Sequence, residues 1–500
     1  MPALVRPMLV VAAVLTGAIA FGQQTDPPDR HWPVTSRTAG LPLPLPDVPN
    51  VPSKPSAESK PLPPPAEYPP YPYPPPPPLN TVYAPPVTIP PAADRSLALE
   101  PYWNDGCYLR SADREFVAHL GGMVHYDAAF YSGGRGVQDF PGGVGRFADG
   151  VNPRRVRLLF DGDYEQAFDY RLEVELMNGV GSGGTNSPVP GDAYLTVKRV
   201  PWVGNVRVGN QKEWFSLERL DSASGLPFLE RSVLADFSLP AGQNVGRSPG
   251  VSTFRTWAND SVFTAVGVYK NVAGSQAFGA GAGEYAITGR VAALPVWLPH
   301  VQTYWHVGGA MSHRDAAGDG VRVVARSGVR NAPFGLLNLV ADTGVIPADS
   351  QTLFNLESAF ASGPLTVSSE FTTSRLAHTP AGTVAYHGFY TQATYFLTGE
   401  HRAWDPTTAT FKRVTPLRTF DPRSGSWGGW EVGGRFSHLD LDSRGVNGGR
   451  VSTATLGLTW YWNANVRLQV NYDYLYRDGG VNPLSRGAIH SLGTRLALDF

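Results

Sequence analysis

The decapeptide SLGTRLALDF, residues 491–500, decides the fold. Leu492, Leu496, Leu498 and Phe500 fall on one parity, and Ser491, Gly493, Arg495 and Asp499 fall on the other. A two-residue period of this kind is a β-strand with one apolar face. Soluble domains usually finish in a polar, loosely held tail. Here the apolar face continues to the last residue, so that face is expected to meet something other than water.

The same period returns throughout the chain upstream, between clusters of Gly, Asn, Asp and Pro. Phe116, Ala118, Leu120, Val124, Tyr126, Ala128 and Phe130 oppose His119, His125 and Asp127. Tyr170, Leu172, Val174 and Leu176 oppose Arg171, Glu173 and Glu175, and Val466, Leu468, Val470, Tyr472 and Tyr474 oppose Arg467, Gln469, Asn471 and Asp473. Phe354, Leu356 and Phe360 against Asn355 and Glu357 repeat it. No helical period of comparable length competes.

Composition decides which solvent the apolar face meets. The polar outer face of a soluble sandwich carries abundant Lys and Glu, but the 41 basic residues here include only six lysines. Charged residues make up 17% of the chain, against roughly 25% in ordinary globular domains. Aromatic residues gather near strand ends, as in PVWLPHVQTYW, SWGGWEV, TWYWNANV and NYDYLYRD, which is the placement of girdles at a membrane interface. About 400 residues divide into 16 strands at roughly 25 residues per strand and connection. The expectation is an all-β chain whose residues 101–500 form a transmembrane antiparallel β-barrel of 16 strands. Its apolar face touches outer-membrane lipid. In such a barrel a final strand ending in an aromatic residue resembles the signal read by the barrel-assembly machinery, with Phe500 as its last outward residue.

The N-terminal residues set the compartment. MPALVRPMLVVAAVLTGAIAFGQQ has one Arg6, an apolar run and small residues at Ala18, Ala20 and Gly22, a pattern that reads as a signal peptide over 1–22. Residues 23–100 follow as a proline-rich linker centred on PPPAEYPPYPYPPPPP. Proline removes backbone donors and fixes φ, so this arm is an extended, unpacked spacer. It serves either as a contact to the cell wall or as a plain periplasmic linker. The formal net charge of −1 argues against a nucleic-acid partner, and the single Cys107 has no intrachain disulfide partner.

Several ordered words resemble the phosphate-selective porin O and P family: FDYRLEVEL at 168–176, DAYLTVK at 192–198, VRVGNQKEWFSLERL at 206–220, FLERSVL at 228–234 and LPAGQNVG at 239–246. HGFYTQATYFLTGEHR at 387–402, FKRVTP at 411–416, GGWEVGGRFSHLDLD at 428–442 and TLGLTWYWNANVRLQVNYDY at 455–474 continue the likeness. The resemblance implies a homotrimeric outer-membrane barrel with a loop folded into the lumen and arginines lining a path for phosphate or other small anions. Two features depart from the family's pattern. Trp214 stands where the family's word has a proline, and the barrel's net charge is near zero, which weakens the case for phosphate.

Arginine suits an anion path because its planar guanidinium stays charged and offers a fork of donors to two oxygens. On strand parity Arg155 and Arg157 face the lumen opposite Val156, Leu158 and Phe160, and Arg171, Arg207, Arg435, Arg467 and Arg495 pass the same test. Any one of them either meets anions or merely pairs with a neighbouring Glu173, Glu175, Glu431, Asp473 or Asp499. The segment between Glu213 and Phe254, about 40 residues, is too long for a tight hairpin and is expected to enter the barrel. The resemblance places Arg219 and Arg231 there as anion contacts, together with Arg157 and with Asp192 as a nearby acidic modulator.

Catalysis finds no support. GxSxG, HExxH, CxxC and P-loop motifs are missing from the sequence, and His119 and His125 stand about 20 Å apart along a strand, too far to share a metal. GAGAGE at 279–284 reads as a loop rather than a phosphate cradle. No cofactor or metal is expected. Three readings stay open: an anion-selective porin, a less selective porin for small solutes, and an exported β-rich structural or adhesion protein.

Overall fold

The computed structural model describes residues 98–500 apart from 135–136, 138–146, 178–187, 238–246, 272–283, 317–319, 331–338 and 480–485. Residues 1–22, read as a signal peptide, residues 23–97 of the proline-rich segment, LPAGQNVG and nearly all of GAGAGE lie outside the described residues, while Leu99 and Glu100, expected in the linker, belong to a strand.

Sixteen antiparallel strands close on themselves. The ring shuts where the last strand, Gly487–Asp499, pairs with the first, Phe116–Gly133, from Ile489 opposite Gly133 to Asp499 opposite Met123. Phe500 completes the seam by exchanging main-chain hydrogen bonds with Gly122, at 2.7 and 3.0 Å. Beyond it the exposed edge of the first strand is covered by a short hairpin, Leu99–Trp103 and Cys107–Ser111, whose second arm pairs from Cys107 opposite Leu120 to Arg110 opposite Val117. The edge that the last strand leaves open is thereby paired, which removes a template for aggregation.

Strand parity follows the sequence. Leu496 and Leu498 are 45% and 40% exposed on the outer surface, whereas Arg495 and Asp499 are 1% and 3% exposed inside. Leu158 and Phe160 face outward while Arg155 and Arg157 are buried within. Local irregularity modifies this rule. A register shift between His125 and Tyr126 in the pairing with Gly150–Tyr164 puts both Arg154 and Arg155 inside, as a bulge does when two residues oppose one.

The two rims differ. At one, the connections 165–167, 201–203, 258–261, 299–302, 363–364 and 462–465 are tight, and only 397–428 is long. At the other, long loops predominate, including 213–246 and 316–349.

The interior is filled by three of these connections. Loop 213–246 carries two short helices, Leu217–Leu220 and Val233–Phe237. A hairpin of Gly320–Arg326 with Leu339–Pro347 packs with the second helix in an apolar cluster that includes Val233, Phe237, Val323, Ile346, Leu376 and Tyr390. The tight-turn rim sends in 397–428, whose Trp404 rests 5.3 Å from Tyr304 and 4.6 Å from His306. Wall glycines make room for these inserts. A Cβ on Gly493 would sit 2.8 Å from both Leu229 and Val329, and one on Gly457 would sit 2.8 Å from Phe228.

Candidate functional site

The lumen loop begins at Glu213, whose carboxylate is held by Arg314 at 2.8 Å, Ser248 at 2.8 Å and Thr288 at 2.9 Å. Trp214 packs against Phe254 and Phe263 at 4.9 and 5.3 Å and donates its indole N–H to Ser252 at 3.2 Å. Trp214 thus anchors the start of the loop against the wall.

The chain then turns at Ser216, with φ of 67°, and starts the helix Leu217–Leu220. The first two helical amides, of Leu217 and Glu218, donate at 3.1 and 2.7 Å to the carboxylate of Glu370 on the opposing wall. Asn355 and Tyr390 also donate to that carboxylate, each at 2.9 Å. A carboxylate at a helix N-terminus satisfies amides that have no partner within the helix. Glu370 is thus the wall group that seats the loop.

Most lumen arginines are in ion pairs. Glu230, from the loop, receives Arg154 at 3.0 Å, Arg155 at 2.8 Å and Arg495 at 2.8 Å, with Arg330 at 3.6 Å. Arg495 also forks onto Asp127 with two bonds of 2.7 Å. Burial pushes the Glu230 carboxyl up, but the surrounding guanidiniums outweigh it and hold it well below the ordinary glutamate range. Arg157 meets Glu175 at 2.6 Å and Glu173 at 3.2 Å. Asp192 is gripped by Arg247 at 3.0 and 3.1 Å and lies 3.6 Å from Arg171. Arg467 pairs with Asp499, and Arg435 meets Glu218 at 3.4 Å and the Glu230 carbonyl at 3.0 Å.

Three loop-side cations behave differently. Lys212 Nζ donates to the carbonyls of Leu220 at 2.7 Å and Asp221 at 3.0 Å. Arg231 donates to the carbonyls of Glu218 and Asp221, both at 2.6 Å, and Arg219 donates to the carbonyl of Ala235. All three are partly exposed, and none makes a salt bridge among the described residues. Burial and the neighbouring Arg231 charge bring the Arg219 guanidinium down to about 10. Asp221 sits among them, its carboxylate accepting from the Phe411 amide at 3.1 Å. Burial raises that carboxyl to about 7, against the pull of the Phe411 amide, Lys212 and Arg231.

Arg207 is a fourth case. It bonds Thr196 at 3.0 Å and stacks on Tyr194 and Phe254 at 4.0 and 4.9 Å. A small cavity between the helix and the wall is lined by Glu218, Asp221, Leu226, Tyr390, Arg402 and Phe411.

A family model for phosphate-selective porin O and P matches residues 120–500. The chain belongs to that family. It is a porin of the outer membrane and not an enzyme. Porin O of Pseudomonas aeruginosa is 24% identical over 73% of this chain and 84% of its own length. An uncharacterized protein of Caulobacter vibrioides is 27% identical over 99% of this chain and 95% of its own length. Among solved structures, an anion-selective porin from Comamonas acidovorans aligns with a TM-score of 0.47 and 14% identity, covering 77% of this chain and 99% of that one. Outer-membrane barrels carry their short turns on the periplasmic side, so the tight-turn rim of this porin is periplasmic.

The porin thus brings Arg219 and Arg231 together at the loop helix and sets Arg155, Arg157, Arg171, Arg435, Arg467 and Arg495 among carboxylates. Sequence reasoning passed over Lys212, Arg154, Glu230 and Glu370. Lys212 stands within the quoted VRVGNQKEWFSLERL and is one of six lysines, a scarcity that could have singled it out. Arg154 was hidden by the bulge. The roles of Glu230 and Glu370 arise only from tertiary contact.

Proposed function

We propose that this porin conducts small anions, phosphate or polyphosphate foremost, past Lys212 at the end of the wall strand and Arg219 and Arg231 on the lumen loop. The observation that carries the reading is that these three cations spend their donors on main-chain carbonyls and not on carboxylates. A carbonyl fixes the direction of the cation and leaves its full charge in place, and low-dielectric barrel walls concentrate the field of such charges. Arg207 adds an unneutralised guanidinium toward the periplasmic exit. Arg155 and Arg157 act from within their ion-pair clusters, and Asp192, gripped by Arg247, tempers the field as an acidic modulator.

The same reading takes residues 1–22 as a cleaved leader, 23–100 as a periplasmic arm able to touch the cell wall, a homotrimer as the assembled state, and Phe500 as part of the signal for the barrel-assembly machinery. The many neutralised arginines favour the alternative of a less selective porin for small solutes. Planar-bilayer recording separates the two. Phosphate is expected to block chloride current through the wild-type porin, and the block is expected to weaken in Lys212→Ala and Arg231→Ala but to persist in Arg375→Ala, which alters an exposed arginine outside the lumen. Currents carried equally by cations and anions would reject anion selectivity.

A further inference from the structure

Tryptophan is distributed asymmetrically in this porin. Every described tryptophan except the two inside the lumen, Trp214 and Trp404, lies at the periplasmic rim, and none lies at the long-loop rim. At one sector of that rim the indoles are built into a platform. Trp430 and Trp460, direct cross-strand neighbours, stack at 5.0 Å with planes 14° apart. Trp460 meets Trp462 edge-on at 5.3 Å and Phe420 edge-on at 5.0 Å. The platform is fixed from below by a short hairpin, Phe420–Asp421 with Ser426–Trp427. The indole N–H groups of Trp430 and Trp460 both donate to the Trp427 carbonyl, at 3.1 and 2.7 Å, and the Phe420 amide donates to the Trp462 carbonyl at 2.6 Å.

These rings are on the lipid-facing parity of their strands, in line with exposed Leu456 and Phe436. Their outer margin is apolar and open, with Trp427 64% and Leu417 67% exposed. Within the same connection Arg418 and Arg423 are exposed and flank the half-buried carboxylate of Asp421. That carboxylate is occupied by the Arg423 amide at 2.9 Å. Arg418 stands two residues before Phe420, and Arg423 lies in the turn of the hairpin that carries Trp427. An apolar platform and two exposed guanidiniums that outnumber the one carboxylate between them are thereby joined in one element.

We infer that this sector is a binding surface for an anionic phospholipid of the periplasm-facing leaflet. The acyl chain lies on Trp427, Trp430 and Trp460, and the headgroup phosphate is held by Arg418 and Arg423. Bidentate guanidinium donors match phosphate oxygens, and each cation near an anionic lipid surface favours binding by about fivefold. The asymmetry gives the element its side, because the opposite rim has no tryptophan with which to form such a platform.

The test uses the full porin in nanodiscs containing equal phosphatidylglycerol and phosphatidylcholine, with retained lipid identified by native mass spectrometry. The wild type is expected to retain phosphatidylglycerol severalfold over phosphatidylcholine. Arg418→Ala/Arg423→Ala is expected to lose the preference without a change in single-channel conductance, and Trp427→Ala to retain less of both lipids. Equal retention of the two lipids by the wild type, or an unchanged preference in the double arginine variant, overturns the inference. Conductance measured on the same samples keeps the outcome independent of anion selectivity.

Discussion

At the scale of single residues, Asp221 is placed to set the charge of the lumen site. Its carbonyl binds both Lys212 and Arg231, and its buried carboxyl titrates near 7. Because the folded porin raises this pKa, the protonated acid is the form it favours. The associated stability is fully present at low pH and is lost as pH rises through about 7. Ionisation also brings a negative charge beside the loop cations. The anion-to-cation permeability ratio is therefore expected to fall as pH is raised from about one unit below to one unit above 7. Asp221→Asn is expected to remove that step and to hold the ratio near its low-pH value. Reversal-potential measurements across the range check this, and a titration step that survives in the variant would assign it to another group.

At the scale of elements, the lumen loop is held between two walls of opposite chemistry. On one side Arg154, Arg155, Arg330 and Arg495 converge on Glu230; on the other, Glu370 accepts the first amides of the helix Leu217–Leu220. Glu370→Ala leaves those amides, together with Asn355 and Tyr390, without their acceptor. Leaving a buried donor unsatisfied costs roughly 1–3 kcal/mol, so the helix is expected to leave the wall. Single-channel recordings should then show a larger, noisier conductance with weaker anion selectivity, and Glu370→Gln, which keeps one acceptor oxygen, should fall between. Unchanged conductance in the alanine variant would mean that Glu370 does not position the loop. The strands themselves were legible in the sequence because alternation reports directly which side of a wall each residue faces: Leu158 and Phe160 outward, Arg155 and Arg157 inward. The entry of loop 213–246 was legible from its length. The entry of the hairpin of Gly320–Arg326 with Leu339–Pro347 and of the connection 397–428 was not, because nothing in their own pattern says which contacts they make inside the barrel. The seating of 397–428 depends on tertiary contacts such as the hydrogen bond from the Tyr304 hydroxyl to the Arg402 carbonyl at 3.0 Å.

At the scale of the whole molecule, a barrel exists only when its first and last strands meet, and here the meeting is divided. The upper part of the first strand pairs with Gly487–Asp499 and the lower part with the rim hairpin, and Phe500 bonds Gly122 at the junction. Which ion pairs the lumen arginines make was hidden from the sequence for the same reason. Arg495 reaches Asp127 and Glu230 only after closure brings the chain's two ends side by side, a contact between residues hundreds of positions apart that no local pattern encodes. Non-local pairing of this kind forms late, because loop-closure entropy is lost before the contacts are gained. Deleting Phe500 removes two main-chain bonds at the junction while leaving Arg467, Asp499 and the lumen loop in place. The expected result is a lower yield of assembled porin in the outer membrane, with channels that do form conducting as the wild type does. Quantifying heat-resistant barrel in membrane fractions checks the first part and bilayer recording the second. A normal yield would show that pairing up to Asp499, together with the rim hairpin, is sufficient to close the wall.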